Sequence, residues 1–480
     1  MRMLLQSVIP RFGGPGGLYL RAVRFPIHRI GYLLLTLIGV AVWYPQLVQR
    51  GMYNDGLWYA AIARNWSLTG NWWHPQLSET FGAFVPHPPL LFWLEGSWFW
   101  LFGDEPWIER GYSLVVLIAT VMAMRWMWRT VVPTARAWWW VPVALWSLNE
   151  VAFNYYPNNL LDNTMGLFAL GSVGLLLRQT VGPRALLGAG LCLVLAFLTK
   201  GPVALFPLAV PGMRWLLLRD SSLGQATKQT VSLLGTLALA LGGLWLLSPA
   251  VRDFAAAYYD IQIRGGLAGE QVYHARDNRL YILWRLAAVL APALLLTALT
   301  WLLHTRHLRA TPPVRPAWLL FGIGLSASVP LVFSPKQTYY YLLAALPHFY
   351  LAFGAWLLPS LRQIRWSERI RRYVVVGLGL AIGVAAVRNL DSHERVRSRH
   401  RPIYADMQRL LPHLPEGATI NSDEYFHTLL GYLARYRRVS VDTSAYRRSY
   451  FLTSHPGAVP PGYRLLPLNT ERYRLYQKTD

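Results

Sequence analysis

Eleven apolar runs, each uncharged or nearly so, punctuate the first 390 residues of this 480-residue chain, and no other feature limits its folding as tightly. They lie at about 30–48, 112–124, 137–153, 164–177, 185–199, 201–213, 231–247, 286–303, 318–333, 339–358 and 373–387. A helix needs roughly 20 mostly apolar residues to cross a ~30 Å hydrocarbon core, and fewer if its ends snorkel. Lipid tolerates only structures that satisfy their own backbone groups. The runs therefore predict a polytopic α-helical membrane protein with about eleven transmembrane helices. The pair flanking Lys200 reads alternatively as one broken or re-entrant element. Charged residues make up only 14% of the chain, against roughly 25% in a soluble domain. The single cysteine, Cys192, excludes an internal disulfide framework.

A net charge of +23 would suit a nucleic-acid binder, but its placement argues otherwise. With the N-terminus inside, the inner segments hold 21 basic residues against Asp220 and Glu368 alone, the bias expected of cytoplasmic loops. No groove-reading basic helix competes with that explanation, and no nucleic-acid partner is expected. An odd number of spans puts the N-terminus in the cytoplasm and the tail outside. The first 29 residues are basic and no small-residue cleavage site follows the first run, so they read as an uncleaved anchor.

Two outer loops are long enough to be functional, at about 49–111 and 248–279. The first is rich in Trp and Phe and predicts two helices, near 57–68 and 90–101, lying in the outer interface. Residues 1–390 thus form a transmembrane domain. Residues 391–480 turn polar, with alternating runs at 438–442 and 472–476 and helical runs at 404–411 and 426–436. These predict a small extracytoplasmic α/β domain that leans on the membrane part.

Several motifs recur in a telling order. Tyr53-Asn54-Asp55-Gly56, Pro86-His87-Pro88-Pro89-Leu90 and Phe102-Gly103 occupy the first outer loop. Leu198-Thr199-Lys200-Gly201-Pro202 and Phe333-Ser334-Pro335-Lys336-Gln337, with Tyr340-Tyr341, follow on the same membrane side. In this order the chain resembles the polyprenyl-phosphate-dependent GT-C glycosyltransferases, in their aminoarabinose-transferase-like and protein-mannosyltransferase-like branch. The resemblance implies that Asp55 acts as base or orienter for the acceptor, with Asp162 as a second acid. Many relatives have another acid where this chain has Gly56. They often have Lys where it has His87, whose imidazole, if cationic, would still meet a phosphate. An acid that helps some relatives bind a metal is replaced by Pro86, so His274 lacks a partner. No metal site or cofactor is expected, although a divalent metal is not excluded.

The residues support the same chemistry independently. Moving a sugar off a phosphate-linked carrier needs an activated acceptor hydroxyl and cations on the departing phosphate. The chain has four lysines, and two of them, Lys200 and Lys336, fall at expected outer helix ends. With His87, Tyr340, Arg264, His274 and Arg276 they form the expected donor-phosphate and substrate-binding set. No Walker loop or nucleotide-sugar motif is present. Structural readings stand beside each assignment: Asp55 and Asp162 as helix caps, the lysines as snorkelling anchors, the second-loop charges as interfacial. Glu95 reads as structural or solvent-facing, and Cys192 as core. The expected activity is transfer of a sugar from polyprenyl phosphate to a glycolipid such as lipid A, or another envelope glycan, on the outer face of the cytoplasmic membrane. A protein O-mannosyltransferase is the alternative, so the acceptor is a glycolipid or a protein. A flippase is disfavoured, because transporters carry ionisable residues within their spans and these runs have almost none.

Overall fold

The computed structural model describes residues 27–265, 278–304, 314–363, 367–391, 401–444 and 447–479. Among these, seven helical stretches are long and apolar enough to cross a membrane: Arg29–Leu47, Ile108–Val131, Pro183–Leu218, Leu223–Leu247, Tyr281–Leu302, Arg315–Phe333 and Glu368–Arg388. The chain is a multi-pass membrane protein. The expected count of eleven is not reached, for identifiable reasons. The run at 137–153 breaks into helices Trp140–Ser147 and Glu150–Tyr155. Asn149 caps the second of these, accepting from the Val151 and Ala152 amides. Helix Leu161–Leu176 is short and largely buried by its neighbours rather than by lipid. Helix Leu346–Gln363 is almost wholly enclosed, with Phe349, Tyr350 and Phe353 in the core.

The stretch Pro183–Leu218 folds back on itself. Its first leg ends at Lys200, where Gly201 adopts φ +76°, a conformation that only glycine takes without penalty. Arg214, on the returning leg, donates from Nη1 to the carbonyls of Leu176 and Arg178. Those carbonyls lie just before the start of the first leg, so the two legs are antiparallel and meet at Lys200–Gly201. This brings Lys200 to the same end of the bundle as Asp162, which opens helix Leu161–Leu176.

The two first-loop helices, Asn54–Thr69 and Leu90–Phe102, form as the apolar spacing suggests, but the first does not lie in an interface. Leu57, Ala60, Ala61, Ile62 and Ala63 are all fully buried. The reason is that the C-terminal unit packs on it. That unit is a five-stranded mixed sheet of β1 (Thr419–Ser422), β2 (Ser440–Asp442), β3 (Tyr450–Thr453), β4 (Tyr463–Leu465) and β5 (Arg474–Lys478), ordered β2-β1-β3-β5-β4. Strand β1 pairs parallel with β2 and β3, and β5 pairs antiparallel with β3 and β4.

Helix His427–Arg437 of this unit lies against Asn54–Thr69. Charge fixes the joint. Arg64, 2% exposed, donates to Asp104 at 2.8 Å and to the Ala434 carbonyl at 2.6 Å. Arg435, 1% exposed, pairs with Asp104 at 2.6 Å and with Glu109 at 2.9 Å. Buried guanidinium groups demand such complete pairing, because removing one partner leaves an uncompensated charge.

Candidate functional site

A cavity of about 910 Å³ opens among the ends of these helices, within the size range of small-molecule sites. Six of the residues expected from the sequence line it together: Asp55, Asp162, His87, Lys200, Lys336 and Tyr340. Arg264 does not. It is exposed and pairs with Asp260 one helical turn away at 3.2 Å. The second long loop reaches the cavity instead through Tyr258, Gln262 and Ile263, with Gln262 donating to the Pro86 carbonyl at 2.6 Å. His274 and Arg276 lie outside the described residues.

Asp55 stands in the first turn of helix Asn54–Thr69, where the exposed amides favour an anion. It is not the cap: Tyr53 holds that position with extended backbone and no side chain caps the helix. The turn is held by the Asn158-Asn159 segment. The Tyr53 amide donates to Asn158 Oδ1 at 3.0 Å, and a Cβ on Gly56 would sit 2.1 Å from the Asn158 carbonyl oxygen. That contact explains why no second acid follows Asp55. Any side chain at 56 would expel the Asn158 loop. Asp55 Oδ2 instead accepts from the Tyr340 hydroxyl at 3.0 Å.

Asp162 and Lys200 are each other's partner, at 2.5 Å, with side chains only 4% and 10% exposed. The Lys200 ammonium also lies 4.3 Å above the Tyr341 ring, a favourable cation–π geometry. Its place at the last position of its helix adds the attraction of the free carbonyls there. Lys336 differs. It is exposed, lines the cavity and, among the described residues, has no acidic partner. Its loop is pinned by the neighbouring Gln337, 1% exposed. Gln337 accepts from the Ile282 amide at 2.9 Å and donates to the carbonyls of Arg279 and Ser334 at 2.8 and 3.1 Å.

His87 is set deep in the cavity wall. Burial, reinforced by the nearby charges of Lys200 and Lys336, pushes its pKa well below the ordinary 6.5. That environment disfavours the cationic imidazole considered from the sequence and suits a neutral ring, which can donate or accept a hydrogen bond. Glu95 is not solvent-facing. It is fully buried, and both carboxylate oxygens lie 2.8 Å from Asn159 Nδ2. Burial pushes its pKa from 4.5 to about 8. Asn159 adopts φ 51°, so Glu95 holds the turn between the segment that steadies Asp55 and the helix that opens with Asp162.

Several lining residues were not among the expected site residues. Trp58, Tyr59, Phe84 and, from the C-terminal unit, His427 wall one side of the cavity. Val203, Phe206, Ala327, Leu331 and Phe333 wall another and make it apolar. Among the described residues no group of three or more His, Cys, Asp or Glu side chains converges as a metal would require.

No family model matches the sequence, and no curated protein matches it. Solved structures do. The crystal structure of ArnT from Cupriavidus metallidurans in the apo state is 16% identical, with a TM-score of 0.62 over 93% of this chain and 98% of that one. The same protein bound to undecaprenyl phosphate gives 0.60, at 16% identity over 93% and 97% of the two chains. The apo oligosaccharyltransferase of Archaeoglobus fulgidus is 11% identical, with a TM-score of 0.54 over 87% of this chain and 64% of that one. This chain accordingly has the fold of the GT-C glycosyltransferases, shared over 93% of its length.

Proposed function

We propose that the chain is a membrane glycosyltransferase that takes a sugar from a polyprenyl-phosphate carrier and passes it to a hydroxyl of an envelope glycolipid, or another envelope glycan, at the outer face of the cytoplasmic membrane. The observation that carries this reading is the cavity itself. It gathers carboxylates, the exposed Lys336 ammonium and an apolar wall within one enclosure. A polyprenyl chain leaves lipid only at about 0.8 kcal/mol per CH₂, so its phosphate has to be met beside an apolar wall of this kind. The fold shared with ArnT, one of whose structures holds undecaprenyl phosphate, agrees.

In the proposed reaction the acceptor oxygen attacks the anomeric carbon while the bond from that carbon to the phosphate oxygen breaks. The acceptor proton passes to Asp55, and polyprenyl phosphate leaves with the bonding pair. Lys336 meets the phosphate directly. Lys200, already bound to Asp162, supports the same region as half of a neutralised pair. His87 contributes a hydrogen bond to the phosphate or the sugar. Positive potential where charge develops is worth most when water is excluded. The 21 basic residues of the expected inner segments favour an N-terminus in the cytoplasm and a cavity outside.

Mass spectrometry of envelope glycolipids and proteins, from cells with and without this chain, tests the reading. The expected result is loss of one sugar increment from a glycolipid. Loss from proteins would make the chain a protein glycosyltransferase. A lipid-linked sugar stranded on one leaflet, with no increment missing elsewhere except downstream products, would make it a flippase.

A further inference from the structure

The wall contributed by the C-terminal unit points to a binding site of its own. His427 is exposed and lines the cavity, and its ring stacks on Trp58 with centroids 4.1 Å apart and planes 13° from parallel. The stack is clamped from outside the ring pair, since Trp58 Nε1 donates to the His427 backbone carbonyl at 3.1 Å. Phe81 meets Trp58 edge-on at 5.4 Å, and Tyr425 lies 6.4 Å from it. Both rings are partly exposed at the rim, by 37% and 43%. Aromatic residues from the first loop and from the C-terminal unit therefore form a single surface leading into the cavity.

Trp58 is also one helical turn beyond Asp55 on the same helix. Residues three apart share a face, and three residues rise about 4.5 Å along the axis. A hexose ring is of similar span, so a sugar resting on the aromatic wall would reach toward the Asp55 carboxylate that lines the same cavity. The lysines and the apolar wall, by contrast, belong to other elements: the Lys200–Gly201 turn, the Lys336 loop and the Arg315–Phe333 stretch.

We propose that Trp58 and His427 form an acceptor subsite that takes a pyranose ring, its C–H face against the aromatic surface and one hydroxyl directed at Asp55. The proposal rests on the glycosyltransferase reading and specifies which substrate the C-terminal unit recognises. A pyranose offers an apolar face of axial C–H groups whose partial positive charge suits the negative face of an aromatic ring.

The test uses the full chain in lipid nanodiscs with methyl β-D-glucopyranoside and N-acetylglucosamine as probes, read by saturation-transfer NMR. Native mass spectrometry of undecaprenyl phosphate binding runs in parallel. The variants are His427→Ala and His427→Phe. Neither removes the backbone carbonyl that Trp58 uses, so the wall itself should stand. Wild type should show transfer to the axial ring protons. His427→Ala should weaken sugar binding on the order of tenfold, the scale of a lost aromatic contact, while His427→Phe retains it. Undecaprenyl phosphate should bind all three alike. Equal sugar binding by His427→Ala, loss in His427→Phe as deep as in His427→Ala, or displacement of the sugar by a serine-containing peptide would each overturn the subsite. Failure of wild type to bind undecaprenyl phosphate would strike the glycosyltransferase reading instead.

Discussion

The Tyr340 hydroxyl donates to Asp55 Oδ2 across 3.0 Å, joining positions 285 residues apart in sequence. The bond holds the carboxylate toward the cavity that both residues line, and leaves its other oxygen for a substrate hydroxyl. Asp55→Asn should abolish that basicity while keeping the side chain's size. Transfer should fall by about 10²-fold or more, the range for a lost general base. Tyr340→Phe should cost less, because it loosens the carboxylate without neutralising it. Initial rates at saturating donor check both, and near-normal turnover in Asp55→Asn would remove it from the chemistry.

Lys200 and Asp162 should behave as a structural unit first. Breaking a buried pair from one side costs about 3–5 kcal/mol. Lys200→Met and Asp162→Asn should therefore each lower the apparent melting temperature strongly. The double variant should lie above the sum of the two losses, because no orphaned charge remains. Strict additivity in thermal unfolding would show that the pair is not coupled.

Lys336 should show the opposite profile. It is exposed and without an acidic partner among the described residues, so Lys336→Met should leave the melting temperature nearly unchanged. Donor KM should rise, whereas acceptor KM should not. Loss of turnover and specificity constant together would instead mean that the contact forms only in the transition state.

Glu95 sets a pH dependence of stability. Its folded pKa, about 8, stands above the ordinary 4.5 because burial disfavours the charge. A raised pKa means that the folded state binds the extra proton. The associated stability is fully present below 4.5 and is lost as pH rises from there through about 8. Glu95→Gln carries no such proton, so its stability advantage over wild type should grow across that window. Parallel melting curves for the two proteins would contradict the assignment.

Topology is testable without activity. A reporter that fluoresces only in the cytoplasm, fused after Asp480, should stay dark. Bright fusions would move the cavity to the cytoplasmic side, away from the expected acceptor.

Part of the cavity lining was legible in the sequence. The scarcity of lysine pointed to Lys200 and Lys336, the resemblance pointed to Asp55, and all three line one cavity; the apolar pair around Lys200, read alternatively as one broken element, folds back there. The strands at 440–442 and 474–478 were visible in their alternation. Arg264 was misplaced because a charged residue in a loop says nothing about which way it faces; Asp260, one turn before it, takes its charge. The span count failed where helices such as Leu161–Leu176 are covered by protein and need no lipid-crossing length. Gly56 looked like a departure from pattern, yet it is dictated by the Asn158 carbonyl against which it packs. His427 was beyond reach, since its place in the cavity wall depends on a contact with Trp58, 369 residues away in the chain.

That distance has a consequence for synthesis. The wall begun at Trp58 is completed by His427, 369 residues further along, and a contact so remote in sequence forms late. Until residue 427 has been made, the aromatic wall beside Asp55 lacks one of its sides. The acceptor subsite proposed for that wall thus belongs to neither half of the fold alone, and it can appear only once the C-terminal unit has docked.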